Sequence, residues 1–475
     1  MSLMGRRGGA TWKLPDSEYR FVQVVACGLL AFLFSACVRG EAVPALRLAG
    51  ILPAVGSTGR MPSRLHGQDA RATAEPSPDG LIASPEPGWP QWRGPRRDGI
   101  SDEKGMLKSW PPGGPRLVWK IDGLGTGWSS PIVVGERLYI TGDVGNDLVV
   151  YALDLDGTVQ WRAKNGRAWK GPYPGARACC AFSEGRVYHS NAHGRVVCLD
   201  AASGRELWAV NILERFGGKN ITWAVSECLL VDGSHLIVTP GGKKALMAAL
   251  DKRTGATIWT TQPLGDDCVS HCSPILFRQA GRRLITNCSS AHGFGVDADT
   301  GELLWTVPLN NPYGTNVSTP VYGDGRVFYV TPYAELGRTY QLAADGREIK
   351  AEHVWTCPLD TVTGAAVLVD GTLFAAGYKT SKWWFGVDWR TGKTKYEFKD
   401  LTTGAAIYAD GRLYCLDESG TAALLKPNPD GLETVGRFRL VTGRVYDAWA
   451  HPVLLDGRLY LRYHDELWCY DVKEH

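Results

Sequence analysis

Cys179 and Cys180 are neighbours in the chain, and a bond between their sulfurs would force the peptide joining them into an unusual geometry. Cys268, His271 and Cys272 crowd together at a spacing that a tight metal site could use. No second close Cys/His pair completes a tetrahedral set, so a local disulfide or an isolated histidine accounts for them better. Trp223 and Trp449 offer flat faces to a planar molecule, and Arg177 and Lys243 could pair with its carboxylates through charge-assisted hydrogen bonds. The bland alternative is packing for the indoles and loop bridging for the arginine. No GxSxG elbow, phosphate loop or zinc-protease helix occurs after Trp89.

The elements that must position these groups follow from composition and repetition. With 44% hydrophobic and 21% charged residues the chain is globular, while 57 Gly and 18 Trp point to many turns and a recurring aromatic anchor. A net charge of +3 gives no electrostatic case for nucleic acid. Arg6, Arg7, Lys13 and Arg20 precede an apolar run from Phe21 to Ala36, the order of a secretory signal, which predicts export to the periplasm or cell envelope. Phe34, Ser35, Ala36 and Cys37 resemble a lipobox with Phe34 in place of an aliphatic residue. A lipid anchor at Cys37, and cleavage near Ala36 or after Ala45 without a lipid, both stay open. Residues 1–37 are thus expected to be the signal, 38–88 a Pro-, Ala-, Gly- and Ser-rich tether, and 89–475 the folded region.

Within the folded region two beats alternate. The first is an apolar run, a turn and a second apolar run, and it recurs eight times: Pro131 to Tyr139, Cys180 to Tyr188, Cys228 to Leu236, Pro274 to Leu284, Pro320 to Phe328, Ala366 to Phe374, Ala406 to Tyr414 and Pro452 to Tyr460. The period is roughly 46 residues, that of a four-stranded propeller blade. The second beat sets an Asp before a Gly turn and a Trp after it, as in Asp200, Gly204 and Trp208. Later copies decay to Trp355, Tyr396 and Phe438. The Asp can bond turn amides, the Gly can take positive φ and the Trp can lie between blades. Trp119, in the strand from Arg116 to Ile121, has no beat of its own, and the last blade lacks a closing strand, so the front of the fold is expected to complete its end.

The pattern Ala249, Asp251, Thr254, Gly255 and Trp259 resembles the tryptophan-docking motif of quinoprotein alcohol dehydrogenases, and Asp200 to Trp208 and Asp297 to Trp305 agree with it. The same repeat occurs in non-enzymatic relatives such as the outer-membrane assembly lipoprotein that scaffolds β-barrel insertion. Trp89 to Val472 is also similar to bacterial PQQ-binding-like repeat proteins through Trp89 to Gly94, Thr239 to Lys243, His451 with Pro452, and Leu467 to Val472. The resemblance implies an all-β fold, an eight-bladed β-propeller of four-stranded antiparallel blades.

In such a fold the residues just before each innermost strand ring the channel mouth. Those segments supply Trp128, Arg177, Cys179, Cys180, Trp223, Glu227, His271, Asn316, Asp447, Trp449 and His451 as candidate binding residues, with Lys243 as the further cation. The quinoprotein resemblance implies a disulfide between Cys179 and Cys180 against a quinone. Read from the residues alone, Cys180 replaces a Pro at a blade start and Cys179 is a small channel residue. Glu227, Asn316 and Asp447 are the types that hold calcium or act as base in those dehydrogenases, but their neighbours differ, so no catalytic or metal role is assigned.

Three expectations follow: an exported binding or scaffold propeller with a protein or peptide partner, an oxidoreductase using PQQ and calcium, or a sensor of a small planar or sugar-like ligand.

Overall fold

Each of the eight repeats forms one twisted antiparallel sheet in the computed structural model, which describes residues 79–333 and 336–475. The proposed signal, the Cys37 lipobox and most of the proposed tether lie outside the described residues. Blade 1 shows the plan: Ile132–Val134, Arg137–Val144, Asp147–Leu153 and Val159–Arg167 follow one another from the channel outward. The innermost strands of blades 2 to 8 are Ala181–Ser183, Leu230–Asp232, Ile275–Gln279, Val321–Gly323, Val367–Val369, Gly404–Ala409 and Val453–Leu455. Blade 8 receives its outermost strand from the front, with Leu117 opposite Tyr470 and Trp119 opposite Cys469. That latch, predicted from the unmatched Trp119, removes the open sheet edge.

The second beat works as its chemistry requires. Asp251 and Asp297 each accept a turn N–H, from Thr254 at 2.8 Å and Thr300 at 3.0 Å. The indole of one blade then lies on the turn glycine of the next: Trp119 on Gly157, Trp161 on Gly204, Trp208 on Gly255, Trp259 on Gly301 and Trp355 on Gly392. Trp161 Nε1 donates to Ala201 O at 3.0 Å and Trp208 Nε1 to Lys252 O at 3.1 Å, which fixes each ring between two sheets.

The described part of the expected tether does not hang free. Gly80–Leu81, within it, adds a strand to the inner edge of blade 4, opposite Arg278 and Phe277; Ile100–Ser101, in the expected folded region, adds a parallel one to the inner edge of blade 7. No helix among the described residues is long and apolar enough to cross a membrane.

Candidate functional site

Residues 80 to 103 rise into the central channel and turn back, bonding to every blade as they go. Trp89 and Val133 of blade 1 exchange backbone hydrogen bonds at 2.8 and 3.0 Å, and Phe182 of blade 2 donates to Pro90 O at 2.9 Å. Arg97 donates to Cys228 O and Leu229 O of blade 3 at 2.8 and 3.0 Å, and to Pro274 O of blade 4 at 2.6 Å. Trp92 Nε1 donates to Thr319 Oγ1 beside blade 5 at 3.2 Å, and Arg93 to Ala366 O of blade 6 at 2.7 Å. Tyr408 of blade 7 donates to Gly99 O at 2.8 Å, and Gly457 of blade 8 to the Glu103 carboxylate at 2.8 Å. Burial lowers both the Arg93 and Arg97 guanidinium groups to about 10; backbone carbonyls take most of the Arg97 donors, and for Arg93 those of Nη2, while its Nε and Nη1 are buried without a partner.

The plug turns the channel into a blind cup. Above Trp92 lies a cavity of about 390 Å³, opening at the N-terminal ends of the inner strands. Aromatic rings dominate its wall. One arc runs from Trp223 to Tyr313, Tyr333 and Tyr378, with centroid separations of 6.0, 4.8 and 5.8 Å. The opposite arc joins Tyr173 to Trp449 and Trp449 to Trp128, both at 5.2 Å. Hydrogen bonds hold the indoles: Trp449 Nε1 donates to Glu418 at 2.8 Å and Trp128 Nε1 to Asp447 O at 3.2 Å. Tyr173 and Tyr333 have φ of 53° and 68°, a left-handed conformation rare for aromatic residues and found where the surrounding structure enforces it.

Of the residues anticipated from sequence, Trp128, Arg177, Trp223, His271 and Trp449 line this cup. Arg177 is a loop clamp there: it donates to the carbonyls of Trp223, Gly175, Pro172 and Tyr173, which leaves little for a ligand carboxylate. His271 bonds Ser226 Oγ at 2.8 Å, and burial, aided by nearby Arg177, lowers it to about 3, so the ring is neutral.

The other anticipated residues lie behind the wall or away from it. Glu227 accepts from Thr239 N at 2.9 Å, from Thr239 Oγ1 at 2.5 Å and from Asn287 Nδ2 at 3.1 Å, and burial raises it to about 7. Asn316 is spent on Ser289 O, and Asp447 pairs with Arg444. His451 packs on Trp92 with centroids 4.4 Å apart, and Lys243 is exposed away from the cup.

Cys179 and Cys180 are separate thiols. The Cys179 sulfur accepts from Ser130 N–H at 3.1 Å, while Cys180 is buried between blades 1 and 2 beside Ile132, Tyr139 and Val187. Cys268 and Cys272 are also thiols, so the local disulfide does not form, and among the described residues no cluster of His, Cys, Asp or Glu could hold a metal.

Sequence reasoning missed Trp92, Tyr173, Tyr313, Tyr333, Tyr378 and Lys379. Tyr333 and Tyr378 sit in loops joining second to third strands, which reach the same face because antiparallel strands alternate direction. Counting those loops alongside the segments before the inner strands is the signal that was available.

The comparisons with known proteins agree with this architecture. The family model described as "Outer membrane protein assembly factor BamB" matches residues 145–395, more than half of the chain. The chain belongs to that family. BamB from Yersinia pestis is 22% identical over 258 residues, covering 50% of this chain and 61% of the relative. Lanthanide-dependent methanol dehydrogenase from Methylacidiphilum fumariolicum is 29% identical over 170 residues, covering 32% of this chain and 26% of the relative. The matches therefore span about a quarter of that dehydrogenase and under two thirds of that BamB. Among solved structures, BamB from Moraxella catarrhalis superposes with a TM-score of 0.55 at 14% identity, covering 75% of this chain and 99% of the other. Quinohemoprotein alcohol dehydrogenase from Comamonas testosteroni gives 0.54 at 15%, covering 86% and 82%. At such identities the likeness is one of fold.

Proposed function

We propose that this BamB-family propeller is a binding module of the cell envelope that receives its ligand or partner at the channel mouth and does not transform it. The observation that carries this reading is the cup itself: aromatic walls, a floor made by the chain's own plug, and no carboxylate among the described lining residues. The envelope location rests on the basic and apolar N-terminal sequence and on the family's description as an outer membrane assembly factor.

The quinone and calcium of the dehydrogenase reading do not fit these residues. Calcium takes six to eight oxygen ligands, typically several of them carboxylates. Here Glu227 is sealed by Thr239 and Asn287, Asn316 faces backbone carbonyls, and Asp447 is paired with Arg444. Among the described lining residues, Lys379 is the cation left for the carboxylates of the quinone, since backbone carbonyls occupy Arg177. Arg177, Cys179 and Cys180 supply neither a free charge nor a disulfide face.

Incubation of the full chain with PQQ and calcium chloride, followed by a dye-linked assay on primary alcohols, tests the reading. The expected result is no saturable quinone binding and no dye reduction. Alcohol oxidation that requires both additions overturns it.

A further inference from the structure

We infer that the cup takes a neutral oligosaccharide, a ligand class that rests on the binding reading above and narrows it. The argument begins with what the walls lack. Charge recognition is poorly served: among the described residues no Asp or Glu lines the cavity, the Arg177 donors face carbonyls, His271 is neutral, and the remaining cation, Lys379, is exposed beside Tyr378. A purely apolar guest is poorly served as well. Thr315 and Ser318 line the cavity, and their hydroxyl oxygens are buried at its wall without a hydrogen-bond partner. A ligand hydroxyl reached by rotation of either side chain would satisfy it, whereas an oily ligand would leave it unpaired at a cost of about 1–3 kcal/mol.

The guest that matches has apolar faces and hydroxyl edges. A hexopyranose ring presents axial C–H bonds to an aromatic plane and equatorial hydroxyls to side-chain oxygens. Trp223 and Trp449 stand on opposite arcs of the mouth as flat platforms, with hydroxyls deeper on the wall at Thr315, Ser318 and Ser226. The cavity of about 390 Å³ falls in the range of small-ligand sites, about 300–1,000 Å³. The Trp449 indole is fixed by Glu418, so little rotamer entropy is lost when a ring stacks on it.

An extended peptide is the weaker fit. Strand addition needs a free inner edge, and the plug already bonds along the inner strands of blades 1, 4 and 7 through Trp89, Gly80–Leu81 and Ile100–Ser101.

Titration of the full chain with cellohexaose, maltohexaose and chitohexaose, followed by tryptophan fluorescence and calorimetry, tests the assignment. At least one should bind saturably at a single site. Trp223→Ala should weaken that binding by about tenfold or more and Ser318→Ala by about threefold or more, with far-UV spectra unchanged. Trp223 sits at the rim, so its replacement is expected to spare the fold; Tyr313→Ala, at an exposed neighbour, is the second variant and should also weaken binding. Absence of binding by all three sugars at millimolar concentration overturns the inference, as does binding that neither Trp223→Ala nor Tyr313→Ala alters. A parallel titration with a tyrosine- and tryptophan-containing neutral peptide separates the two levels. Peptide binding lost in Trp223→Ala, without sugar binding, removes the sugar and keeps the binding mouth. Silence from sugars and peptide alike removes both.

Discussion

At Gly301 the backbone has φ of 75°, and an added methyl carbon would stand 2.4 Å from Cε3 of Trp259. Gly281, in the same blade, has φ of 74° but nothing within 4 Å of the same hypothetical carbon. The pair separates two costs that share one substitution. Gly281→Ala should cost only the left-handed strain, about 1 kcal/mol. Gly301→Ala must also lift the indole from its seat and should cost about twice that or more, read as the larger fall in the thermal midpoint. This docking was legible in the sequence because Asp, Gly and Trp each answer a separate local need and recur together. Cys179 and Cys180 were less so: adjacency in the chain says nothing about which face each sulfur takes, and the structure sends Cys180 into a blade core while Cys179 faces Ser130.

The plug is the element that composition did not reveal. Up to Gly88 the sequence has no apolar period and reads as a tether, and from Trp89 it reads as the start of the folded region, with nothing to mark residues 80 to 103 as one plug. Their order comes from distant partners: Arg97 reaches carbonyls of Cys228, Leu229 and Pro274, and no local pattern encodes that. Blades announce themselves because they repeat, whereas a segment used once has nothing to be compared with. The cup was half legible for a related reason, since Trp223 and Trp449 precede innermost strands while Tyr333 and Tyr378 belong to loops that were not counted. Arg97→Met should therefore act as an element-level lesion. It leaves three buried carbonyls without their donor, at about 1–3 kcal/mol each before relaxation. Trypsin should then cut after Arg93 or Arg96 in Arg97→Met and spare both sites in the parent chain, as mass spectrometry of the fragments would show.

Eight sheets closed by one front strand give a molecule whose interior holds polar groups at the channel wall as well as apolar ones between blades. Burial lowers His189 and His464 to about 4 and His271 and His451 to about 3, below the unfolded value of about 6.5. The unfolded chain therefore binds protons that the folded one refuses, and stability falls as pH drops below 6.5. Each histidine withdraws at most about 1.4 kcal/mol per pH unit. Glu227 works in the opposite sense: raised to about 7 by burial, it contributes fully below about 4.5 and loses that contribution as pH rises through 7. The four histidines outweigh Glu227 and predict a falling melting temperature from pH 6.5 to 4.5, and His189→Gln should make the slope shallower.

The direction in which the plug threads the channel also makes its two faces unequal. Asp79 accepts a hydrogen bond from Ala280 N–H at the far end of the innermost strand of blade 4, on the side away from the cup. The plug thus enters the channel from the face opposite the aromatic bowl, so its point of entry takes up none of the rim where a guest would arrive.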